Sequence, residues 1–116
     1  MKPYLRFIKS IDANENEFLK VNGINRRGLK LLEVIAVKHE ANESLMTTEI
    51  MALSKYGSPA AIHRALVRLR DAKLALVFHK GQDRRTKYLC VSDKTCEYYR
   101  QLGLAFIASI DAMSID

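Results

Sequence analysis

Side chains that can bind a polyanion are concentrated in about a quarter of the sequence. Between Ser58 and Tyr88 there are eight lysines and arginines but only two acidic residues, and the net charge of the whole chain is +6. Lys and Arg clustered in this way can neutralise phosphates and release their counterions. A solvated basic surface without a partner is the alternative interpretation. The basic residues of the stretch are Arg64, Arg68, Arg70, Lys73, Lys80, Arg84, Arg85 and Lys87.

The sequence offers little that would support catalysis or metal binding. His39, His63 and His79 are scattered and do not have the spacing of a zinc site. The sequence contains neither a Gly-x-Ser-x-Gly motif nor a glycine-rich phosphate loop. Cys90 and Cys96 are either redox-sensing thiols or, the reading we favour, small buried hydrophobic residues. We therefore expect no enzyme activity, no catalytic residues, no metal and no cofactor.

The composition is typical of one globular domain, which we expect to span residues 1–116. Hydrophobic residues make up 48% of the chain and charged residues 28%. No apolar run approaches the roughly 18 residues that a membrane span needs, and the first ten residues do not resemble a secretory signal. We therefore expect a cytoplasmic protein without a membrane partner.

Helical spacing of apolar residues predicts three long helices. A partly amphipathic helix is expected from Pro3 to Leu19 and another from Arg26 to His39, with a break at Gly23 and an N-cap at Asn25. A last helix, from about Asp93, has a wide apolar stripe that either completes the core of one protomer or joins two protomers. The stripe consists of Tyr99, Leu102, Phe106, Ile110 and Met113.

A tight joint between two further helices is predicted at Tyr56-Gly57-Ser58-Pro59. The first helix is expected to be short, with Thr47 or Thr48 as its N-cap, and to reach about Lys55, with Gly57 as the residue that stops it. Ser58 offers the N-cap of the second helix, and Pro59 suits its first position.

The helix after the joint is expected to run to about Lys73 and to be followed by a hairpin. Leu74–His79 and Lys87–Ser92 have the composition of short strands, and the polar loop between them contains Gly81 and has a basic tip. The expected buried stripe of the helix consists of Ile62, Ala65, Leu66, Leu69 and Ala72.

This order of elements indicates a helix-turn-helix followed by a basic hairpin. In such a motif the second helix, here residues 58–73, enters the major groove of DNA. Small side chains at Ala60 and Ala61 would allow close approach. Arg64 is then a candidate for a bidentate contact to guanine, or else a solvated surface arginine. Arg84 and Arg85 at the hairpin tip suit a minor groove.

The remaining polar residues of the two elements suit supporting roles. His63 is expected to reach a base or a phosphate, Lys80 and Lys87 to contact phosphates, and Asp83 to pair with a neighbouring arginine. The predicted DNA-binding residues are Thr48, Lys55, Ser58, Ala60, Ala61, His63, Arg64, Arg68, Lys80, Arg84, Arg85 and Lys87.

The sequence from about residue 26 to residue 100 resembles the winged helix-turn-helix of MarR-type transcriptional regulators. The most specific part is Asp83–Ser92, which is similar to the family's wing: an acidic residue and arginine, then an apolar strand ending in Thr or Ser. The resemblance implies that Arg85 enters the minor groove and that Ser58 to about Arg70 forms the recognition helix. Lys73 and Thr95 depart from the pattern, since glycine is usual at the first position and frequent at the second.

The resemblance also implies an architecture and partners. The fold class is mainly α with a small β-hairpin (α+β), comprising an N-terminal helical arm (residues 1–22), a DNA-binding core with its wing (25–92) and a C-terminal dimerisation helix (93–116). A homodimer bound to double-stranded DNA is expected, and a small-molecule effector is left open. The alternative is a winged-helix module for protein assembly or for plasmid or phage replication or partition.

Overall fold

The computed structural model describes residues 2–115, and the side chains of residues 2–111. Within that range the chain forms mostly helix and one small antiparallel sheet, as expected from the sequence. The helices are α1 (Lys2–Asn22), α2 (Arg26–Glu40), α3 (Thr47–Met51), α4 (Pro59–Asp71) and α5 (Asp93–Ile115), with a 3₁₀ turn at Ser54–Tyr56. The strands are β1 (Leu45–Met46), β2 (Ala75–Phe78) and β3 (Tyr88–Val91).

The start of α2 follows the predicted capping chemistry. Gly23 has a φ of +65°, a conformation that glycine adopts without strain, and it separates α1 from α2. The Gly28 amide donates to Oδ1 of Asn25 over 2.9 Å, which confirms Asn25 as the N-cap.

The start of α3 differs from the prediction. Neither Thr47 nor Thr48 is the N-cap, because the helix already includes Thr47 and the residue before it is Met46. The Glu49 carboxylate instead accepts from the Met46 amide over 2.8 Å. The reason is β1, which sequence reasoning missed: pairing with β3 keeps Leu45 and Met46 extended up to the first residue of α3.

The sheet has the strand order β1-β3-β2, so β3 is the central strand. Both strands of the predicted hairpin are present, and each is one residue shorter than predicted at both ends. Leu89 of β3 lies opposite Leu45 on one side and Val77 on the other. Leu89 and Val91 are buried, so alternate residues of β3 face the helices.

The core is formed mainly by α2 and α4, which pack against each other, with α2 also against β3 and α4 against β2. The predicted stripe of α4 is confirmed except for Ala72, which is only half-buried. Each fully buried Leu or Ile contributes about 1.5–3 kcal/mol, so this packing holds α4 with its other side in solvent. The fully buried aliphatic side chains are Leu31, Leu32, Ile35, Ile50, Ile62, Leu69 and Leu74.

The pair of terminal helices is only partly buried. Phe18 of α1 stacks on Tyr98 of α5, with ring centroids 3.7 Å apart, and Phe7 meets Phe106 edge-on at 5.4 Å. Despite its contact with Phe7, Phe106 of α5 is 48% exposed, and the adjacent Ile107 is 55% exposed. The first half of α5 therefore completes the protomer core and the second half does not. Met113, the last residue of the predicted stripe, lies outside the described side chains.

None of the helices in residues 2–115 is both long and apolar enough to cross a membrane.

The two departures from the MarR pattern have different structural consequences. Thr95 is fully buried, and its hydroxyl donates to the Leu74 carbonyl over 2.7 Å, tying α5 to the segment before β2. Lys73 is exposed and has a φ of +59°. A residue with a Cβ is strained in this left-handed conformation, whereas glycine is not.

Replacement of Lys73 by glycine should therefore stabilise the protein. We expect Lys73→Gly to raise the free energy of unfolding by about 1 kcal/mol, measured by urea denaturation. The control is Lys30→Gly, the same change at an exposed position inside α2. It should lower the free energy of unfolding by about 0.5–1 kcal/mol. A Lys73→Gly protein that is no more stable than the original would contradict the strain at Lys73.

Candidate nucleic-acid interface

The joint before α4 is built from local interactions. Gly57 has a φ of +134° and a ψ of −174°, a region open almost only to glycine. Ser58 is the N-cap of α4, with its Oγ accepting from the Ala61 amide over 3.2 Å, and Pro59 occupies the first helical position. The predicted joint is thus confirmed. The expectation that α3 reaches about Lys55 was wrong, because α3 ends at Met51 and a separate 3₁₀ turn precedes Gly57.

The side of α4 away from the core is exposed. It presents Ala60, His63, Arg64 and Arg68, together with Val67 at 38% exposure. Ala61 requires a correction: it is only 9% exposed and belongs to the buried side of the helix, so it contributes little to the surface on which it was predicted to lie. Helical periodicity separates Ala60 from Ala61 by about 100°, which puts them on different faces.

The exposed side of α4 has two distinct edges. Along one edge, His63 lines a crevice together with Thr47 of α3 and Lys87 at the base of the hairpin loop. Along the other, Arg64 and Arg68 line a crevice with Arg27, near the start of α2. The surface of α4 therefore adjoins the hairpin on one side and α2 on the other.

The hairpin loop, residues 79–87, is closed by its own backbone. Nδ1 of His79 donates to the Thr86 carbonyl over 3.0 Å, and the Asp83 amide donates to the Lys80 carbonyl over 3.2 Å. Gly81, with a φ of +56°, lies within the turn that the contact between Lys80 and Asp83 closes. The loop is thus an ordered turn that holds exposed basic residues at its tip.

Asp83 organises the loop in a way that sequence reasoning did not predict. Its Oδ1 accepts from the Arg85 amide over 2.9 Å, so the carboxylate caps the turn and does not pair with a guanidinium group. The Arg85 amide, followed by the Thr86 hydroxyl, lowers the pKa of the Asp83 carboxyl below its usual value. Both Arg84 and Arg85 are exposed and have no ion pair with any residue of the described part.

The other predicted contact residues lie around these two elements. Lys80 is placed over the Tyr88 ring, with Nζ 4.5 Å from the centroid, and Lys55 lies 5.1 Å from the Tyr56 centroid. Thr48 is exposed in the first turn of α3. The Thr47 amide donates to the Lys87 carbonyl over 3.0 Å, which joins α3 to the end of the loop.

Arg27 is a candidate residue that sequence reasoning missed. Its Nε donates to the Tyr56 carbonyl over 2.8 Å, across 29 positions of the chain. A Cβ at Gly57 would lie 3.0 Å from that Nε, so the guanidinium group packs closely against the joint. The available signal was the basic pair directly after the Asn25 cap, which lay outside the stretch of concentrated charge.

The two cysteines have different environments. Cys90 on β3 is half-buried, and burial raises the pKa of its thiol, which favours the protonated form. Cys96 is exposed, so the prediction that both cysteines are buried was wrong for Cys96. The described residues contain no group of three or more His, Cys, Asp or Glu side chains that could hold a metal.

A mostly apolar cleft lies between α2 and α5, and Ala36, Val37, Cys96 and Tyr99 are part of its lining. The Tyr99 hydroxyl is buried and has no hydrogen-bond partner among the described residues, and burial raises the pKa of Tyr99. In the same way burial, with Glu15 and Glu33 nearby, raises the pKa of Tyr98 to about 12. Both phenols therefore stay neutral at physiological pH.

The fold is shared with solved structures of bacterial regulators. No protein-family model and no curated protein matches the sequence. The MepR-DNA complex of S. aureus is 17% identical, with a TM-score of 0.62, over 98% of this chain and 86% of that one. The transcriptional regulator Tm0710 from Thermotoga maritima is also 17% identical, with a TM-score of 0.67, over 100% and 81%. MarR is 15% identical, with a TM-score of 0.60, over 95% and 77%.

At sequence identities this low, structural similarity establishes the fold of the chain and not its function. The chain has the winged-helix fold of the MarR-type regulators, which confirms the fold class and the structural side of the resemblance. In this fold α3, the joint and α4 form the helix-turn-helix, and β2, the loop and β3 form the wing.

Proposed function

We propose that this protein is a transcriptional regulator that binds double-stranded DNA, with α4 in the major groove and the wing in the adjacent minor groove. The observation that carries the proposal is the crevice shared by His63 of α4 and Lys87 of the wing, because it joins the two basic elements into one surface. The similarity to MepR, which was solved as a DNA complex, supports the same conclusion.

The exposed side of α4 suits the major groove, which is wide enough to admit an α-helix. Ala60, near its N-terminal end, is exposed and small, and so permits close approach to a base edge. Arg64 is exposed and unpaired within the described residues, and its guanidinium group matches O6 and N7 of guanine. His63, at the edge next to the wing, would reach a base or a phosphate.

The wing supplies contacts that depend less on sequence. Arg85, or its neighbour Arg84, would enter the minor groove, where the negative potential is strongest in narrow A·T tracts. Because Asp83 is engaged with the backbone, it holds the turn without occupying either guanidinium group. Phosphate contacts are proposed for the exposed or partly exposed residues around both elements, namely Thr48, Lys55, Ser58, Arg68, Lys80 and Lys87.

The roles of Arg64 and Lys80 can be separated by measuring binding to many sequences. DNA selected from a random pool defines the preferred site, and affinities for that site and for unrelated duplex are then compared. Arg64→Ala should lower the preference for the selected site by about 1–3 kcal/mol, because one base contact is lost. Lys80→Ala should weaken binding to both duplexes alike.

Unchanged selectivity in the Arg64→Ala protein would refute a base contact by Arg64. Absence of DNA binding by the original protein even at low salt would instead refute the proposed function, and would favour a winged helix that serves protein assembly.

We further propose that the protein acts as a homodimer joined through α1 and α5. In the protomer, both helices expose large apolar side chains that the core does not cover. Two protomers joined there would place two α4 helices on one side of a duplex, about 34–36 Å apart, and would bind a pseudo-palindromic site. The exposed apolar residues are Tyr4, Leu5 and Ile8 of α1 and Leu104, Phe106, Ile107 and Ile110 of α5.

A single charge on α5 should disrupt this dimer. Ile107 is 55% exposed in the protomer, so Ile107→Glu should leave the fold intact and shift the mass measured by sedimentation equilibrium from dimer to monomer. Val21→Glu is the control, because Val21 is 73% exposed and lies at the C-terminal end of α1, away from Tyr4, Leu5 and Ile8 of the proposed interface. Dimers of undiminished stability in Ile107→Glu would show that α5 is not the interface.

A further inference from the structure

Three arginines from two helices line one crevice at the α2 edge of α4. Arg27 belongs to the first turn of α2, and Arg64 and Arg68 are one helical turn apart on α4. The other lining residues are Asn25, Ala61 and Ala65, so no acidic side chain is present there. None of the three arginines has an ion pair with a residue of the described part of the chain. Positive charge gathered in this way is unfavourable unless an anion is bound.

Arg27 is held in a fixed orientation within the crevice. Its Nε donates to the Tyr56 carbonyl over 2.8 Å, and the group packs against Gly57, where a Cβ would come within 3.5 Å of Cζ. The Nε–H is one of five guanidinium donors, and the four on the Nη atoms have no partner among the described residues. A guanidinium group fixed in advance loses less entropy when it binds an anion.

The neighbouring arginine provides a contrast. Arg26 donates to Glu15 over 3.0 Å and to Asn16 over 2.7 Å, so both of its Nη atoms are engaged with α1. Arg26 and Arg27 therefore have the same charge and adjacent positions, but only Arg27 has free donors in the crevice.

We propose that Arg27 and Arg68 bind one phosphate of the DNA backbone, which leaves Arg64 free for a base edge. The proposal rests on the proposed function, because it assumes that α4 lies in the major groove. The backbone of a duplex in that position passes along the edges of α4, and this crevice forms the edge away from the wing. Guanidinium groups bind phosphate through paired, charge-assisted hydrogen bonds.

The contact also connects the DNA to the joint. Because Arg27 holds the Tyr56 carbonyl through Nε and the phosphate through its Nη atoms, the bound backbone and the turn before α4 are fixed by one side chain. Such a contact positions α4 on the duplex without reading sequence.

The test compares Arg27→Gln with Arg26→Gln, two identical charge changes at neighbouring positions. The affinity of the full chain for the selected site and for unrelated duplex is measured over a series of salt concentrations. Arg27→Gln should weaken binding to both duplexes by roughly tenfold. It should also make the plot of log affinity against log salt shallower, by up to about 0.9, the value for one phosphate contact that is lost completely. Base preference should not change.

Arg26→Gln should leave the salt slope as it is in the original protein. An unchanged slope in Arg27→Gln, or an equal decrease in both variants, would overturn the proposal. Arg68→Gln keeps the bond between Arg27 and Tyr56, so it gives the same test if Arg27→Gln does not fold. Failure of the proposed function would be recognised separately, because the original protein would then bind neither duplex.

Discussion

The turn between Tyr56 and Pro59 determines the direction of α4, and the proposed interface depends on it. A positive φ at Gly57 reverses the chain, and the Ser58 side chain caps the new helix. Arg27 then satisfies the Tyr56 carbonyl, so the turn is also joined to α2. With the buried side of α4 packed on α2, the exposed side has only one orientation relative to the wing. A change at this turn would therefore move the proposed base contacts together.

The excess of basic over acidic residues and the main uncovered apolar surface lie in different parts of this elongated molecule, which measures 55 × 27 × 24 Å. The excess positive charge lies on α4 and the wing, whereas the uncovered apolar side chains lie mostly on α1 and the second half of α5. Binding of a polyanion requires exposed positive charge, and self-association requires apolar surface that becomes buried when two copies meet. DNA binding and self-association thus each have a surface suited to them, and the buried core lies between these surfaces.

Local chemistry was predictable from the sequence, and long-range contacts were not. The Asn25 and Ser58 caps, the helical stripes and the hairpin follow from residue type and spacing over a few positions. By contrast, β1 exists only because Leu45 pairs with Leu89, 44 positions later. The contact of Arg27 with Tyr56 likewise depends on how α2 packs beside the joint. The burial of Ala61, in contrast, was available from the sequence, because Ala61 lies one helical turn before Ala65 of the predicted stripe.

The central claim is that one duplex contacts α4 and the wing at the same time. The most direct measurement is a titration of the ¹⁵N-labelled protein with its selected duplex, followed by the shifts of backbone amide signals. We expect the largest changes in residues 60–68 of α4 and 80–87 of the wing, with residues 104–110 of α5 unaffected. Bound DNA that shifts only one of the two elements, or that mainly shifts α5, would contradict the account.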